Sequence, residues 1–374
     1  MPVGSRRAAQ GRAPALGAGS PGTRAHHVAR EAAGGRWLVL GKDGRLSAYA
    51  LGDGGMLRWT QERPGGTAWA GPELVPVPGL NSLSVAQGPD GFVHFVGRRA
   101  VHRDEGPPVV DLMSATQFQT GRPVTQWRTL GNPHSERPKA ALLGVPAAAV
   151  SGQGTVHVFV RNADGDLLLR CEKTGGKWEA WHDPKVRRAQ DGTATVTTVS
   201  GRVEVLAPGT DVTLRLSRHE PDGAYQRDQD IPHAHAPGSA VALETARDRI
   251  TYYWADGSHG GVTAHRPGTP PIPLGGAPCT GPVAALRTAL DGYDCTVLAH
   301  GTPDGRVMLT ACGTENEADG VWWSPTGDHC TGGPALACDA AGRVVLALIG
   351  TDGALRIARQ NGEPGLALGP SAQV

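Results

Sequence analysis

Apolar residues along this chain come in short runs, and turns rich in Gly, Asp, Asn and Pro cut one run from the next. The clearest stretch extends from Gly144 to Trp181. It predicts four strands at 147–151, 156–161, 167–172 and 178–181, joined at Gln153-Gly154, Asp164-Gly165 and Gly175-Gly176. Glycine supplies the positive φ that tight hairpin turns require, and Asp or Asn before it tolerates the same region. In runs such as VHVFV (156–160) and VVLALI (344–349), apolar residues occupy both parities, the pattern of strands covered on both faces. A four-stranded meander cannot cover both of its own faces, so it needs copies of itself alongside.

The copies are present. First strands start near Arg36, Ser82, Pro146, Ala194, Ser239, Pro282 and Pro334, about fifty residues apart, the spacing of four-stranded propeller blades. The turn between second and third strands recurs at Asp53-Gly54, Asp164-Gly165, Asp304-Gly305 and Asp352-Gly353. The expected fold is therefore all-β, a seven-bladed β-propeller of four-stranded antiparallel blades spanning 34–374. Blade limits fall at about 35–80, 81–133, 134–190, 191–236, 237–278, 279–331 and 332–374. In the second blade the third strand is placed at 101–104, before an insertion through Gln119. The sixth ends on a strand at 321–324 and the seventh on a short strand at 366–368. Closure of the ring rests on packing between the first and seventh blades, or on residues 27–31 adding to an outer edge.

Composition narrows the function. The 374 residues include 54 Gly and 30 Pro, which fits many turns, and no segment sustains a helical period. A net charge of +1 without a basic run argues against nucleic acid as a partner. No apolar run approaches the ~20 residues of a membrane-spanning helix. Residues 1–33, rich in Ala, Gly, Arg and Pro, are expected to form a disordered arm. Arg6-Arg7 resembles a twin-arginine export signal, but the apolar region after it, 13–19, is short and weak. Localisation stays open: the missing signal peptide points to the cytoplasm and the clustered cysteines to an oxidising compartment.

Five of the six cysteines fall in the last hundred residues. With a hairpin turn at 302–305, Cys295 and Cys312 would sit directly opposite each other. Cys279 and Cys330 flank the sixth blade. Both pairs are candidate disulfides, the alternative being reduced, buried thiols. No C-x-x-C occurs.

The third blade combines G-x-P-A-x-A with Val158-Phe159-Val160, Asp164-Gly165, Leu167, Gly175-Gly176, Trp178 and Trp181. With this motif the chain resembles the PLL-like (Photorhabdus-type) lectin β-propellers. The resemblance implies shallow sugar pockets between neighbouring blades, built partly from aromatic residues, in a secreted or surface protein. It singles out the fourth-strand tryptophans Trp69, Trp127, Trp178, Trp181, Trp322 and Trp323. The fourth, fifth and seventh blades lack that tryptophan, which leaves fewer sites than blades.

Other candidates come from the residues alone. Trp178 and Trp181, three apart on a strand, would point to opposite faces, one into the blade interface and one toward a groove. Gln87, Glu244, Arg287 and Asp339 lie near the ends of four first strands and would form a polar ring at one mouth of the central channel. His233-Ala234-His235 sits between Pro232 and Pro237 with no carboxylate in sequence beside it, and reads as a solvated inter-blade connection. No metal, cofactor or catalytic residue is assigned, and neither a sialidase-type Asp box nor a P-loop occurs. The leading expectation is non-enzymatic carbohydrate binding at weak inter-blade sites, with glycans or cell-wall polysaccharide as partners. The alternatives are a protein-interaction scaffold that has lost its sugar sites, and a hydrolase or lyase working at the channel mouth.

Overall fold

Strands buried on both faces must be sandwiched, and the chain achieves this by stacking seven sheets around a ring. The computed structural model describes residues 27–374 apart from 104, 221, 222 and 259. The third blade is the plainest: Ala147–Val150, Val156–Arg161, Leu167–Cys171 and His182–Val186 pair in sequence order, all antiparallel. The fourth blade begins at Ala194–Thr197, the fifth at Val241–Ala246, the sixth at Thr280–Leu290 and the seventh at Ala335–Cys338. From the second blade to the seventh each innermost strand neighbours the next, the seventh neighbours the first, and Leu80–Gln87 of the second neighbours Gly34–Gly35 and Leu46–Gly52. The turns after first and third strands therefore share one rim, here called upper. The turns after second strands share the lower rim with the inter-blade connections.

The core is divided among the interfaces. One buried cluster joins Ala149, Phe159 and Leu169 of the third blade to Val205, Leu214 and Leu216 of the fourth. Another joins Val297, Ala299 and Leu309 of the sixth to Leu346, Leu348 and Ala358 of the seventh. Each buried aliphatic side chain is worth about 1.5–3 kcal/mol relative to exposure, and in these clusters the neighbouring blade provides part of the cover. A recurrent clamp ties the second and third strands. Gln61 Oε1 accepts from Leu46 N at 3.1 Å and Gln360 Oε1 from Val344 N at 3.2 Å, while Glu172 Oε2 accepts from Val156 N at 3.2 Å.

Several boundaries differ from the sequence expectation. In the second blade, Val93–Val101 is a long second strand and the third is Val109–Gln117, so the supposed insertion is strand. The outer strands of the third, sixth and seventh blades are His182–Val186, Ser324–His329 and Ala372–Gln373, all later than expected. These outer strands are mostly exposed or half-buried, so no buried apolar run marks them. Among the described residues two short helical turns occur, Arg137–Ala141 and Glu317–Asp319.

The start of the chain also departs from expectation. Residues 1–26 of the expected arm lie outside the described residues, but Ala29–Ala32 is a strand. It does not extend an outer edge. It pairs with the inner side of Leu46–Gly52 in the first blade, through Glu31 opposite Leu51 and Ala32 opposite Ala50. Ala29 N also donates to Gly353 O of the seventh blade at 3.0 Å. Gly34 and Gly35 then run parallel to Ser84 and Val85 of the second blade. The seventh blade supplies all four of its own strands, so no strand of one terminus completes the blade of the other. One apolar cluster runs through Ile349, Leu355 and Ile357 of the seventh blade, Leu57 and Trp59 of the first, and Val85 and Phe95 of the second.

Candidate functional site

Five of the six singled-out tryptophans are half-buried at blade interfaces. Trp69 and Trp127 pack on the cluster that spans the seventh, first and second blades, and Trp127 lies 6.3 Å from Phe95. Trp178 and Trp181 both pack on the cluster between the second and third blades, not on opposite faces. The expected strand at 178–181 is irregular: Trp178 makes one isolated bridge to Glu172, and regular pairing resumes only at His182. Arg170 crosses the same interface. Its guanidinium donates to Leu130 O of the second blade and to Glu179 O at 2.7 Å, and lies 5.7 Å from the Trp181 ring.

Trp322 is different, being 85% exposed. It stands on the upper rim, in the loop between Arg306–Gly313 and Ser324–His329 of the sixth blade. That loop is tied down along its length. Glu317, 1% exposed, accepts from the Tyr253 hydroxyl at 2.7 Å and from Arg266 at 2.6 Å, both in the fifth blade. Arg266 is itself held by Thr251 Oγ1 at 3.1 Å. Burial, with Glu317 beside it, holds the Tyr253 phenol protonated far above the ordinary tyrosine range. Glu315 takes Arg249 in an ion pair and accepts from Thr245 Oγ1 at 2.9 Å. Next to Trp322, Trp323 Nε1 donates to Leu274 O at 3.0 Å, and its ring meets His300 edge-on at 4.8 Å. Thr310 Oγ1 donates to the Trp322 carbonyl at 2.9 Å. The result is an exposed indole on a loop that Glu317 and Trp323 tie to the fifth blade. Such an indole can stack on the apolar side of a sugar ring while its N–H holds a hydroxyl.

Of the four channel-mouth residues, Gln87 and Glu244 bond to the neighbouring first and fourth blades, and Arg287 and Asp339 pair within their own hairpins. Asp339, 3% exposed, pairs with Arg343 at 2.6 Å and accepts from Ala341 N and Arg343 N. Burial works against its charge, and these hydrogen bonds outweigh it, so the carboxyl titrates below its ordinary value. Arg287 pairs with Asp294 at 2.7 Å across its own hairpin. Glu244 accepts from Val199 N at 2.7 Å and Asp248 N at 2.8 Å, and Gln87 donates to Leu40 O at 2.9 Å. These carboxylates are occupied by backbone or arginine donors, an arrangement that braces turns.

All six cysteines are free. The hairpin loop is one residue longer than expected, which places Cys295 opposite Gly313 and Cys312 opposite Thr296. A shift of one residue puts the two side chains on opposite faces. Cys279 and Cys330 donate to the carbonyls of Gly281 and Gly332, two residues on from each. Burial pushes their thiols up to about 12 and about 11.

Sequence reasoning passed over the buried polar clusters between blades. Between the fourth and fifth, Glu204 accepts from Arg202 and from the Tyr252 hydroxyl, with Arg215 at 3.5 Å. Between the third and fourth, His157 meets Tyr225, with Arg218 at 3.0 Å and Thr155 at 3.2 Å. The available signal was a polar residue on the wrong parity of a buried second strand.

No family model matches the chain, and no curated protein matches it. Among solved structures it is similar to a lectin, BP39L, from Burkholderia pseudomallei, with a TM-score of 0.69 and 13% identity over 93% of this chain and 100% of that one. It is also similar to AofleA from Arthrobotrys oligospora, with a TM-score of 0.51 and 13% identity over 78% of this chain and 86% of that one. The likeness is one of fold: the whole ring, described above from its strands, has counterparts among solved proteins of very different sequence.

Proposed function

We propose that this propeller binds carbohydrate without turning it over, and that Trp322 on the upper rim is its principal stacking platform. The observation that carries this reading is an indole 85% exposed on a loop fixed at several points to the preceding blade. A large apolar side chain left in water on a rigid support stabilises nothing in the free protein, and its ordering cost is met before a ligand arrives. The half-exposed Trp181 with Arg170 across its ring is a second, weaker platform of the same kind. A lectin among the proteins of like fold agrees with this reading. At the channel mouth, Glu244 and Asp339 are committed to turn hydrogen bonds, which favours binding over hydrolysis.

The test is a glycan array followed by calorimetry on the sugars that register. Trp322→Ala should weaken binding by about tenfold or more, in line with the 1–3 kcal/mol of a stacked aromatic contact, while Trp322→Phe retains part of it. Because Trp322 is exposed, neither variant should shift the thermal midpoint. An array with no signal, or affinity unchanged in both Trp322→Ala and Trp181→Ala, would overturn the proposal.

A further inference from the structure

At the lower rim, the connection from the fourth to the fifth blade runs through His233-Ala234-His235 between Pro232 and Pro237, along a cleft of about 590 Å³. Thr210 and Asp211 from the fourth blade and Ser258 from the fifth help to wall it, and no Lys or Arg among the described residues lines it. The expectation that no carboxylate stands beside these histidines is corrected by the fold, which brings Asp256 to His233.

Hydrogen bonding settles which nitrogen of each ring carries the proton. His233 Nε2 is 2.9 Å from Asp256 Oδ2. A carboxylate only accepts, so Nε2 is the protonated nitrogen and Nδ1 keeps its lone pair. Asp256 is fixed in turn by the N–H and hydroxyl of Ser258, at 2.7 and 2.5 Å. The other ring follows the same logic. Thr213 Oγ1 donates to His233 O at 2.8 Å, so it accepts from His235 Nδ1 at 2.7 Å. His235 Nε2 is left with a bare lone pair. His235 is 3% exposed, and this nitrogen has no partner among the described residues.

An imidazole whose far N–H is held by an oxygen, with a lone pair on the other nitrogen, is in the form that ligates metal ions, tautomer and orientation already set. Two such rings line one cleft, two residues apart. We propose that His233 Nδ1 and His235 Nε2 bind a divalent transition-metal ion of the imidazole-preferring class, such as Ni²⁺, Cu²⁺ or Zn²⁺. Among the described residues no third His, Cys, Asp or Glu joins them. Two imidazole nitrogens do not suit the oxygen-preferring Mg²⁺ and Ca²⁺. The site is independent of the sugar platform, which stands on the opposite rim.

The protein carries its own reporter. Trp254 is fully buried, and its ring lies 6.1 Å from that of His233 and 5.9 Å from that of His235. The full chain at neutral pH is titrated with NiCl₂, following tryptophan fluorescence and heat. We expect one equivalent to bind with a micromolar dissociation constant and to quench part of the emission, with recovery on adding EDTA. His233→Ala, at a partly exposed position, should weaken binding by about tenfold or more with the fold unchanged by circular dichroism. His235→Gln should do the same, and MgCl₂ should leave the emission unaltered. An exposed histidine of the sixth blade provides the control, since His329→Ala should bind as the parent does. Absence of a one-to-one event below millimolar Ni²⁺, or a full event surviving His233→Ala, would overturn the site.

Discussion

His157 carries no solvent exposure, yet it sits in the middle of the apolar run VHVFV. Burial first, and then the neighbouring Arg218, lower its pKa to about 3. Arg218 donating to Nε2 keeps the ring neutral in the fold. In the unfolded chain the same ring takes its proton near pH 6.5. On acidification the unfolded state therefore binds the proton first, and the native state loses ground. The contribution of His157 is complete above pH 6.5 and is lost progressively as pH falls from there toward 3, at about 1.4 kcal/mol for each unit traversed. Replacing it removes that slope. His157→Gln should cost stability at pH 7.5, where its hydrogen bonds are lost, and the gap to the parent should shrink or reverse by pH 4.5. Thermal melts at the two pH values would show this, and a gap that is constant or widens in acid would contradict it. At this scale little was legible in the sequence. Parity shows that His157 faces an interface, but Tyr225 and Arg218 come from the next blade, and no local pattern names them.

The loop bearing Trp322 behaves as an element in its own right, although it holds only a single helical turn, Glu317–Asp319. Its anchor is a buried carboxylate answered by one guanidinium and one phenol. Removing one member of such a set strands the rest, which typically costs 3–5 kcal/mol. Glu317→Ala should therefore lower the thermal midpoint by several degrees and weaken sugar binding, although Glu317 does not stand on the indole face. Glu317→Gln, which can still accept from Tyr253, should recover part of both. Normal affinity in a destabilised Glu317→Ala protein would separate the anchor from the platform. Elements were legible in proportion to their burial. Val156–Arg161 and Val344–Ile349 lie under neighbours on both faces and read as unbroken apolar runs. Outer strands such as His182–Val186 and Ser324–His329 have composition set by water, and bulges interrupt their pairing. The expectation therefore slid toward the nearest tryptophan, to 178–181 in one blade and 321–324 in the other.

For the whole molecule the decisive question is what holds a ring shut when no strand of one terminus completes the blade of the other. The repeat was legible because each meander needs neighbours, but the seam was not, since it depends on residues 29–35, which carry few apolar side chains. These residues touch three blades in turn: Gly353 of the seventh, Leu51 of the first, and Ser84 and Val85 of the second. Gly35 is the tightest point of that path. It has φ of +71°, and a Cβ there would lie 2.5 Å from Val85 O. Gly268 has a similar φ of +86° with nothing within 4 Å of a Cβ. Replacing either by alanine incurs the same left-handed penalty, of order 1 kcal/mol. Only at Gly35 must the strand also leave the second blade. If this segment is the clasp, Gly35→Ala should lower the thermal midpoint well beyond Gly268→Ala. It should also speed proteolysis at 28–36 and leave the exchange protection of the third to sixth blades near that of the parent. Equal midpoints for the two variants would mean that apolar packing between the first and seventh blades closes the ring unaided, with the strand a passenger on its inner wall.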